Sequence, residues 1–571
     1  MEERPFRSAR WYLQESMRGS AHRQRTMQLG FRRKDFLGKP VVGIINSWDD
    51  FSTCHGHLRQ RADDVRRGVW SAGGFPVEIP VLGLGEVMTK PSTMYYRNLL
   101  AMQVEEMMRA HPVDGVVLMG GCDKTTVGMI MGALSVDLPM IFLAAGPMLN
   151  SHWRGMRIGA GTHTRKYWDE LRAGAITQED WEDLEQNICR SHGTCNTMGT
   201  ASTMTCIVEA LGLALPGSVT IPAVDSAHPR MAADCGERMV EMIRSDMRPS
   251  RWLDRRHFLN AVTVFMALGG STNAAVHLPA MAGRAGISLT LDDLDAISRK
   301  VPVLVDMLPE GRFLMEDLHY AGGLPAVMQQ LSPLLHLDCP TVSGHTVGEN
   351  IAGARIWNTE VIRTPDNPVD TSGSLAVLHG NLAPDGAVIK PGAVSPHLRR
   401  HTGKAVVFEN YPDLAARIDD PDLPVDENSV LVLKNGGPKG APGMPEWGAL
   451  PIPKKLLARG VRDMVRISDA RMSGTHFGAC VLHVAPEAAV GGPLALVQDG
   501  DEITLDLDAR TIRLHVDEEE LERRRAAWTP PAPRYKRGYG VIFQQHVLQA
   551  PQGCDFDFLC GASPAEEPDI Y

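Results

Sequence analysis

From about residue 40 to 350 the chain alternates short apolar runs with stretches of helical periodicity, and this alternation limits the possible folds most. The apolar runs are Val41-Val-Gly-Ile-Ile, Val77-Glu-Ile-Pro-Val, Gly115-Val-Val-Leu-Met and Met140-Ile-Phe-Leu-Ala. Each is too short for a helix and apolar but for Glu78, the pattern of a strand buried on both faces of a parallel sheet. Between them, Leu58 to Ser71 and Tyr95 to Ala110 repeat apolar residues at helical spacing. The alternation predicts a layered α/β domain with helices on both faces of a parallel sheet. Such folds build their sites in the loops after the carboxyl ends of the strands. Gly120-Gly-Cys122-Asp123-Lys124 follows the run ending at Met119 and falls at that position.

That loop is one of three cysteine segments rich in small residues. The others are Phe51-Ser-Thr-Cys54-His55 and Gly193-Thr-Cys195-Asn-Thr-Met-Gly-Thr200. None forms a CxxC pair, and ten cysteines in 571 residues are too sparse for a disulfide framework. Three thiolates gathered from three loops can hold an iron–sulfur cluster and leave one iron position open for chemistry. Cys189, Cys206, Cys235, Cys339 and Cys480 sit in apolar or helical surroundings and read as buried small hydrophobes. Cys554 and Cys560 match no metal knuckle and read as structural.

Charge narrows the function classes. The formal net charge of −10 gives no electrostatic reason to expect nucleic acid or an anionic membrane as a partner. No apolar run is long enough to span a bilayer, and no apolar stretch follows the first charged residues as a secretory signal would require. A cytoplasmic protein is expected. A chain of 571 residues exceeds one hydrophobic core, so two domains are expected.

The texture changes near residue 370. Pro365-Asp-Asn-Pro, Ala383-Pro-Asp-Gly and Pro391-Gly punctuate a connection. Beyond it come β-rich runs: Ala405-Val-Val-Phe, Ser429-Val-Leu-Val-Leu, Asp463-Met-Val-Arg-Ile and Ala479-Cys-Val-Leu-His-Val. Glu502 to Leu507 and Thr511 to Val516 alternate faces around a turn and read as a hairpin. We expect residues 1–370 to form the α/β domain and 371–571 a smaller β-barrel-like domain. The charged run Asp517 to Arg525 reads as a solvated helix.

Cys122-Asp123 places a soft ligand beside a hard one, which suggests two metal centres facing one substrate. A divalent ion needs more oxygens than Asp123 supplies. Glu86 and Glu446 are candidates, both in loops sharpened by glycine or proline, although lone loop carboxylates are more often simply solvated. Ser473, in Arg466-Ile-Ser-Asp-Ala-Arg-Met-Ser473-Gly-Thr475, follows a strand at a tight turn. It is either an exposed, metal-activated hydroxyl or a turn serine that satisfies backbone donors. Ser202, Thr203 and the Gly269-Gly-Ser-Thr-Asn273 segment open helices, where N–H groups favour anions, yet the residues by themselves favour the plainer reading of helix caps. No GxxxxGK[ST] or well-placed GxGxxG pattern is present, which argues against nucleotide dependence.

Taken in order, the cysteine segments, Asp123-Lys124, Gly437-Pro-Lys-Gly-Ala-Pro-Gly-Met-Pro-Glu446 and Ile467-Ser-Asp-Ala-Arg-Met-Ser-Gly-Thr475 resemble the dihydroxy-acid and sugar-acid dehydratase family over nearly the whole chain. Ser8-Ala-Arg-Trp11-Tyr, Gly146-Pro-Met-Leu-Asn150 and the tail from Tyr539 to Leu559 resemble its pentonate branch, including dehydratases of L-arabinonate. His55 departs from that branch, where asparagine often follows the first cysteine. The resemblance implies that Cys54, Cys122 and Cys195 ligate a 2Fe–2S cluster. It implies that Glu86, Asp123, Glu446 and a carbamylated Lys124 surround Mg2+. Ser473 would be the base and Thr475 a hydroxyl near the leaving group, with Ser202 and Thr203 near the substrate. The implied reaction turns an aldonate, expected to be a pentonate, into its 2-keto-3-deoxy acid, and a homodimer or homotetramer is expected. Competing readings are a dihydroxy-acid dehydratase of branched-chain amino acid synthesis, a hexonate dehydratase, an idle iron–sulfur sensor and, more distantly, a serine hydrolase.

Overall fold

Strands β1 (Val41–Asn46), β2 (Phe75–Pro80), β3 (Gly115–Gly120) and β4 (Met140–Ala144) form a parallel sheet in the order β2-β1-β3-β4. In the computed structural model, which describes residues 5–561 and 567–570, β1, β3 and β4 are buried at every position. Successive side chains in a strand face opposite sides, and the packing shows it. Val116 and Leu118 meet the helices Thr93–Ala110 and Thr125–Val136 through Leu100, Val104, Val127 and Met131. Val117 and Met119 instead meet the helices Leu58–Ser71 and Ala227–Arg244 through Val65, Val69, Met239 and Val240. Each of these fully buried aliphatic chains contributes about 2 kcal/mol by leaving water, which is why the strands carry apolar residues at consecutive positions. The layered α/β expectation holds, with helices on both faces.

The strand–helix alternation is shorter than the sequence suggested. It ends at β4. A small antiparallel hairpin follows, β5 (Ser151–Trp153) with β6 (Met156–Ile158), and then helices continue to Ile351. The apolar stretch around Ala261 to Ala267 is a core helix, Arg255–Ala267, buried on nearly every side. A helix enclosed all round loses the polar face that would mark its period.

The C-terminal half closes into an eight-stranded barrel from β7 (Ala376–Gly380), β8 (Ala383–Ile389), β9 (Arg400–Phe408), β10 (Val430–Leu433), β11 (Arg466–Ser468), β12 (Cys480–Ala485), β13 (Glu502–Asp506) and β14 (Thr511–Leu514). The order around it is β10-β11-β12-β8-β7-β14-β13-β9. Leu378, Ile389, Val432, Ile467, Val481, Ile503 and Ile512 fill one side of the wall, while Phe408, Leu431 and Leu433 pack outward on Leu414, Leu456 and Leu457. The expected hairpin is β13–β14, antiparallel with Asp506 opposite Thr511. The charged helix Glu518–Ala527 is more than a solvated face. Leu521 joins the barrel core, and Arg524 pairs with Asp501 at 2.5 Å.

The last segment returns to the first half. Arg97 Nη2 donates to Gly553 O at 2.8 Å and Cys554 O at 2.9 Å. Arg284, itself buried, holds Asp555 with bonds of 2.6 and 3.1 Å. Cys206, Cys235, Cys339 and Cys480 are buried as expected, whereas Cys189 is exposed; of the two cysteines near the end of the chain, Cys554 is buried and Cys560 exposed. Cys189 lies past the end of the helix Gln178–Asn187, where the chain leaves the packed surface. No helix among the described residues is long and apolar enough to cross a membrane.

Candidate active site

Three loops meet above the carboxyl end of the parallel sheet. Cys122 follows β3 in the left-handed backbone region, at φ 60°, and is buried. Cys54 lies in the loop after β1, whose His55 Nε2 accepts the Gly121 N–H at 3.2 Å and so ties that loop to the one bearing Cys122. Cys195 lies in a loop pinned to the segment after β4 by Thr194 N to Gly146 O (2.9 Å) and Met148 N to Thr194 O (2.9 Å). Cys54 lies beside Cys122 and within the field of Cys195 and Asp123, and these neighbours, Cys122 foremost, act with burial to raise its pKa well above the ordinary value. Burial, then Asp123 and Cys122, raise Cys195 likewise. Thiols that resist ionisation in one another's presence are poor isolated nucleophiles, whereas a cationic iron centre would compensate three thiolates at once. The donor set fits a cluster.

Beside the thiols, oxygens of Glu86, Asp123 and Glu446 all lie within 4.8 Å of one another, a spacing that suits one divalent cation. Lys124 Nζ is enclosed among them, 3.0 Å from Glu86 Oε2, 3.3 Å from Asp123 Oδ2 and 3.1 Å from Glu446 Oε1. Burial and Arg471 work against the Lys124 charge, but Glu446, Glu86 and Asp123 outweigh them and raise its pKa. Burial likewise works against charge on Glu446, yet Lys124, Arg471 and Arg165 hold it below the usual carboxylate range. Asp123 is raised, chiefly by burial.

The Glu446 loop reaches this place through local devices. Gly443 has φ 73°, and a Cβ there would stand 2.3 Å from Tyr95 N, so only glycine lets the loop lie on the helix that carries Thr93. The Thr93 hydroxyl donates to Glu86. At the other end of the loop, Glu487 accepts Lys439 N–H at 2.9 Å and Gly440 N–H at 2.8 Å, and Asp469 accepts Gly436 N–H at 2.8 Å. Two residues that residue patterns did not single out orient Glu446 itself. Arg471 Nη1 donates to its Oε1 at 3.0 Å, and Asn273 Nδ2 donates to the same oxygen at 3.2 Å. Both lie inside quoted segments, but nothing in their spacing tells a carboxylate partner from a cap.

Ser473 and Thr475 follow β11, and their hydroxyl oxygens are 3.0 Å apart. Gly474 packs between Ser271 and the Thr200 backbone, so this loop faces the segment that holds Asn273. Arg165, on the helix Thr162–Arg172, donates to Thr475 Oγ1; no motif marked it. Ser202 and Thr203 are otherwise engaged. Ser202 Oγ donates to Thr197 O at 2.8 Å, and Thr203 Oγ1 accepts the Ser271 N–H at 3.0 Å, so both hydroxyls hold loops together. Asp254, His257 and Cys339 also come within 4.8 Å of one another, but His257 uses Nδ1 against Asp254 and Nε2 against Pro340 O. That group caps a helix.

Residues 39–350 match the dihydroxy-acid/6-phosphogluconate dehydratase N-terminal family, and residues 360–554 match its C-terminal counterpart. The chain is 57% identical over 569 residues to 6-deoxy-6-sulfo-D-gluconate dehydratase of Pseudomonas putida, covering 99% of this chain and 98% of that one. It is 50% identical over 560 residues to L-arabinonate dehydratase of Rhizobium leguminosarum bv. trifolii, covering 98% and 97%. It is 48% identical over 572 residues to L-arabonate dehydratase of Azospirillum brasilense, covering 99% and 98%. With matched domains in both halves and relatives matched end to end, the chain belongs to the dihydroxy-acid/6-phosphogluconate dehydratase family of hydro-lyases.

Proposed function

We propose that this enzyme is an iron–sulfur and magnesium-dependent dehydratase that converts an aldonate to its 2-keto-3-deoxy acid. The observation that carries the reading is the meeting of three loop thiols, three carboxylates and Lys124 at the end of one sheet. Cys54, Cys122 and Cys195 would hold a 2Fe–2S cluster, and Glu86, Asp123, Glu446 and Lys124 would hold Mg2+. When bound, the two groups supply Lewis acidity to the substrate carboxylate and C2 hydroxyl on one side and to the C3 hydroxyl on the other.

The rest is the work of the chain's own side chains. Lys124, as an ammonium, fills the space among the carboxylates. Carbamylation of Nζ would turn that cation into an anionic oxygen donor and remove its repulsion toward a divalent ion. Arg471 and Asn273 fix the Glu446 oxygen that faces Lys124. Ser473 Oγ takes the C2 proton, and the C–H electron pair becomes the C2=C3 bond as the C3–O pair leaves. The enol that results tautomerises to the keto acid.

The sequence motifs favour a pentonate such as L-arabinonate. A second reading, a hexonate ending in a sulfonate, is favoured by the 57% identity to the Pseudomonas putida dehydratase. Anaerobically purified protein should show a 2Fe–2S spectrum. Assays with L-arabinonate, 6-deoxy-6-sulfo-D-gluconate and 2,3-dihydroxyisovalerate separate the substrates. Turnover of the first or second decides between the two aldonate readings. Exclusive turnover of the third would overturn both.

A further inference from the structure

Arg165 reaches from the N-terminal half to the loop after β11. Its Nε donates to His476 Nε2 at 2.8 Å, and its Nη1 donates to Gly161 O at 3.2 Å and to Thr475 Oγ1. All three acceptors are neutral. Among the described residues no carboxylate lies within ion-pair distance of this guanidinium, although it stands in the field of Glu446, Asp123 and Glu86. Helix and loop are further held by Thr162 Oγ1 donating to Thr475 O at 3.3 Å. His476 N donates to Ser473 O at 3.1 Å, which closes the turn.

A guanidinium only donates hydrogen bonds. Arg165 therefore takes a lone pair of Thr475 Oγ1 and leaves the hydroxyl hydrogen free. Ser473 Oγ lies 3.0 Å from that oxygen. The Thr475 backbone N–H also points at Ser473 Oγ, more weakly, at 3.4 Å. When Ser473 has lost its proton, only Thr475 can donate across the 3.0 Å gap, and its hydroxyl is polarised by the cation behind it.

We propose that Arg165 is a positioning residue that acts through the Thr475 hydroxyl to stabilise the deprotonated form of Ser473. The inference rests on the reading of Ser473 as the base. In the step, the C2–H bond breaks and an O–H bond forms at Ser473. The C–H pair becomes the C2=C3 bond, and the C3–O pair departs with hydroxide. The Ser473 proton and that hydroxide leave as water, which returns Ser473 to the state that Arg165 and Thr475 stabilise. His476 completes the device: its Nε2 accepts from Arg165, so the neutral ring carries its proton on Nδ1 and Arg165 keeps one orientation.

The test uses holoenzyme with measured iron and magnesium content and the variants Arg165→Met, Thr475→Val, the two combined, Thr475→Ser and Ser473→Ala. Arg165→Met is expected to lower kcat about 10²-fold, the effect of losing one donor to a developing oxyanion, with little change in KM. A base that loses its stabilising cation has a higher pKa, so the acid limb of the kcat–pH profile should move up by about one unit. Thr475→Val should move the limb the same way, and the double variant should be no worse than either single one. Thr475→Ser should return the limb to its wild-type position. A rise in KM with kcat and the acid limb unchanged, or additive losses in the double variant, would overturn the proposal. Should Arg165→Met fail to fold, the Thr475→Val and Thr475→Ser pair still decides it by the position of the limb. Turnover by Ser473→Ala would overturn the base reading itself. An inactive Ser473→Ala with an unmoved limb in Arg165→Met overturns this inference alone.

Discussion

Lys124 Nζ lies 3.1 Å from Glu446 Oε1, although the two residues are 322 positions apart. Lys124 opens a helix after a strand of the parallel sheet, and Glu446 sits on a loop of the barrel half. The candidate metal site therefore exists only when both halves are folded and docked.

Glu446→Gln removes one charge from the carboxylates around Lys124. Lys124 and Arg471, both fully buried, lose their shared anion. Breaking a buried pair in this way costs about 3 kcal/mol, to be read from the denaturant midpoint. Bound magnesium, measured by elemental analysis, should fall together with turnover. An unchanged magnesium content would remove Glu446 from the ligand set.

Gly443→Ala tests the loop without touching a charged group. Its Cβ would meet the Tyr95 backbone at 2.3 Å, and φ 73° is strained for alanine. The loop must move, and Glu446 with it. We expect stability to fall by more than about 1 kcal/mol and activity to fall with it, with the cluster spectrum intact because no thiol moves.

Stability should also depend on pH through Glu209. Its carboxylate is buried, and despite N–H bonds from Gly217 and Val219 its pKa is pushed up from 4.5 to about 7. A raised folded pKa means that the folded state holds the proton longer than the unfolded one. The contribution is full below about 4.5 and is lost as pH rises through about 7. Glu209→Gln, although less stable overall because one N–H would face an amide NH2, should show a flatter urea midpoint between pH 4.5 and 7. An identical slope in both proteins would place the titration elsewhere.

Asp555→Ala should release the C-terminal strap. It leaves Arg284 buried without its bidentate partner, with only the single contacts to Ser135 (2.8 Å) and Glu105 (3.4 Å). The expected loss is about 3 kcal/mol, accompanied by faster proteolysis near the end of the chain. Wild-type stability in this variant would show that the strap is held by Arg97 and the aromatic contacts of Tyr539 and Phe543 instead.

Local patterns were legible wherever one period dominates. Leu58–Ser71 stands at its expected bounds, and the four apolar runs are the four strands, because a buried parallel strand needs apolar residues at consecutive positions. The region from residue 160 to 351 was misread as continued alternation, since helices buried all round, such as Arg255–Ala267, carry no polar stripe. Cys189 shows the same limit in reverse: a place just past a helix did not make it buried.

By itself, then, the sequence determined the sheet, the barrel hairpin, the family and the inventory of reactive groups: three loop cysteines, three loop carboxylates and a serine at a turn. Only the tertiary structure decided which of these groups share a space. It put Lys124 among Glu86, Asp123 and Glu446, gave Arg471 and Asn273 to Glu446, turned Ser202 and Thr203 to backbone partners, and brought Arg165 to Thr475. Side-chain periods of two and 3.6 residues are written locally in the chain. Contacts between residues hundreds of positions apart follow from how layers and barrel pack, and packing leaves no local signature.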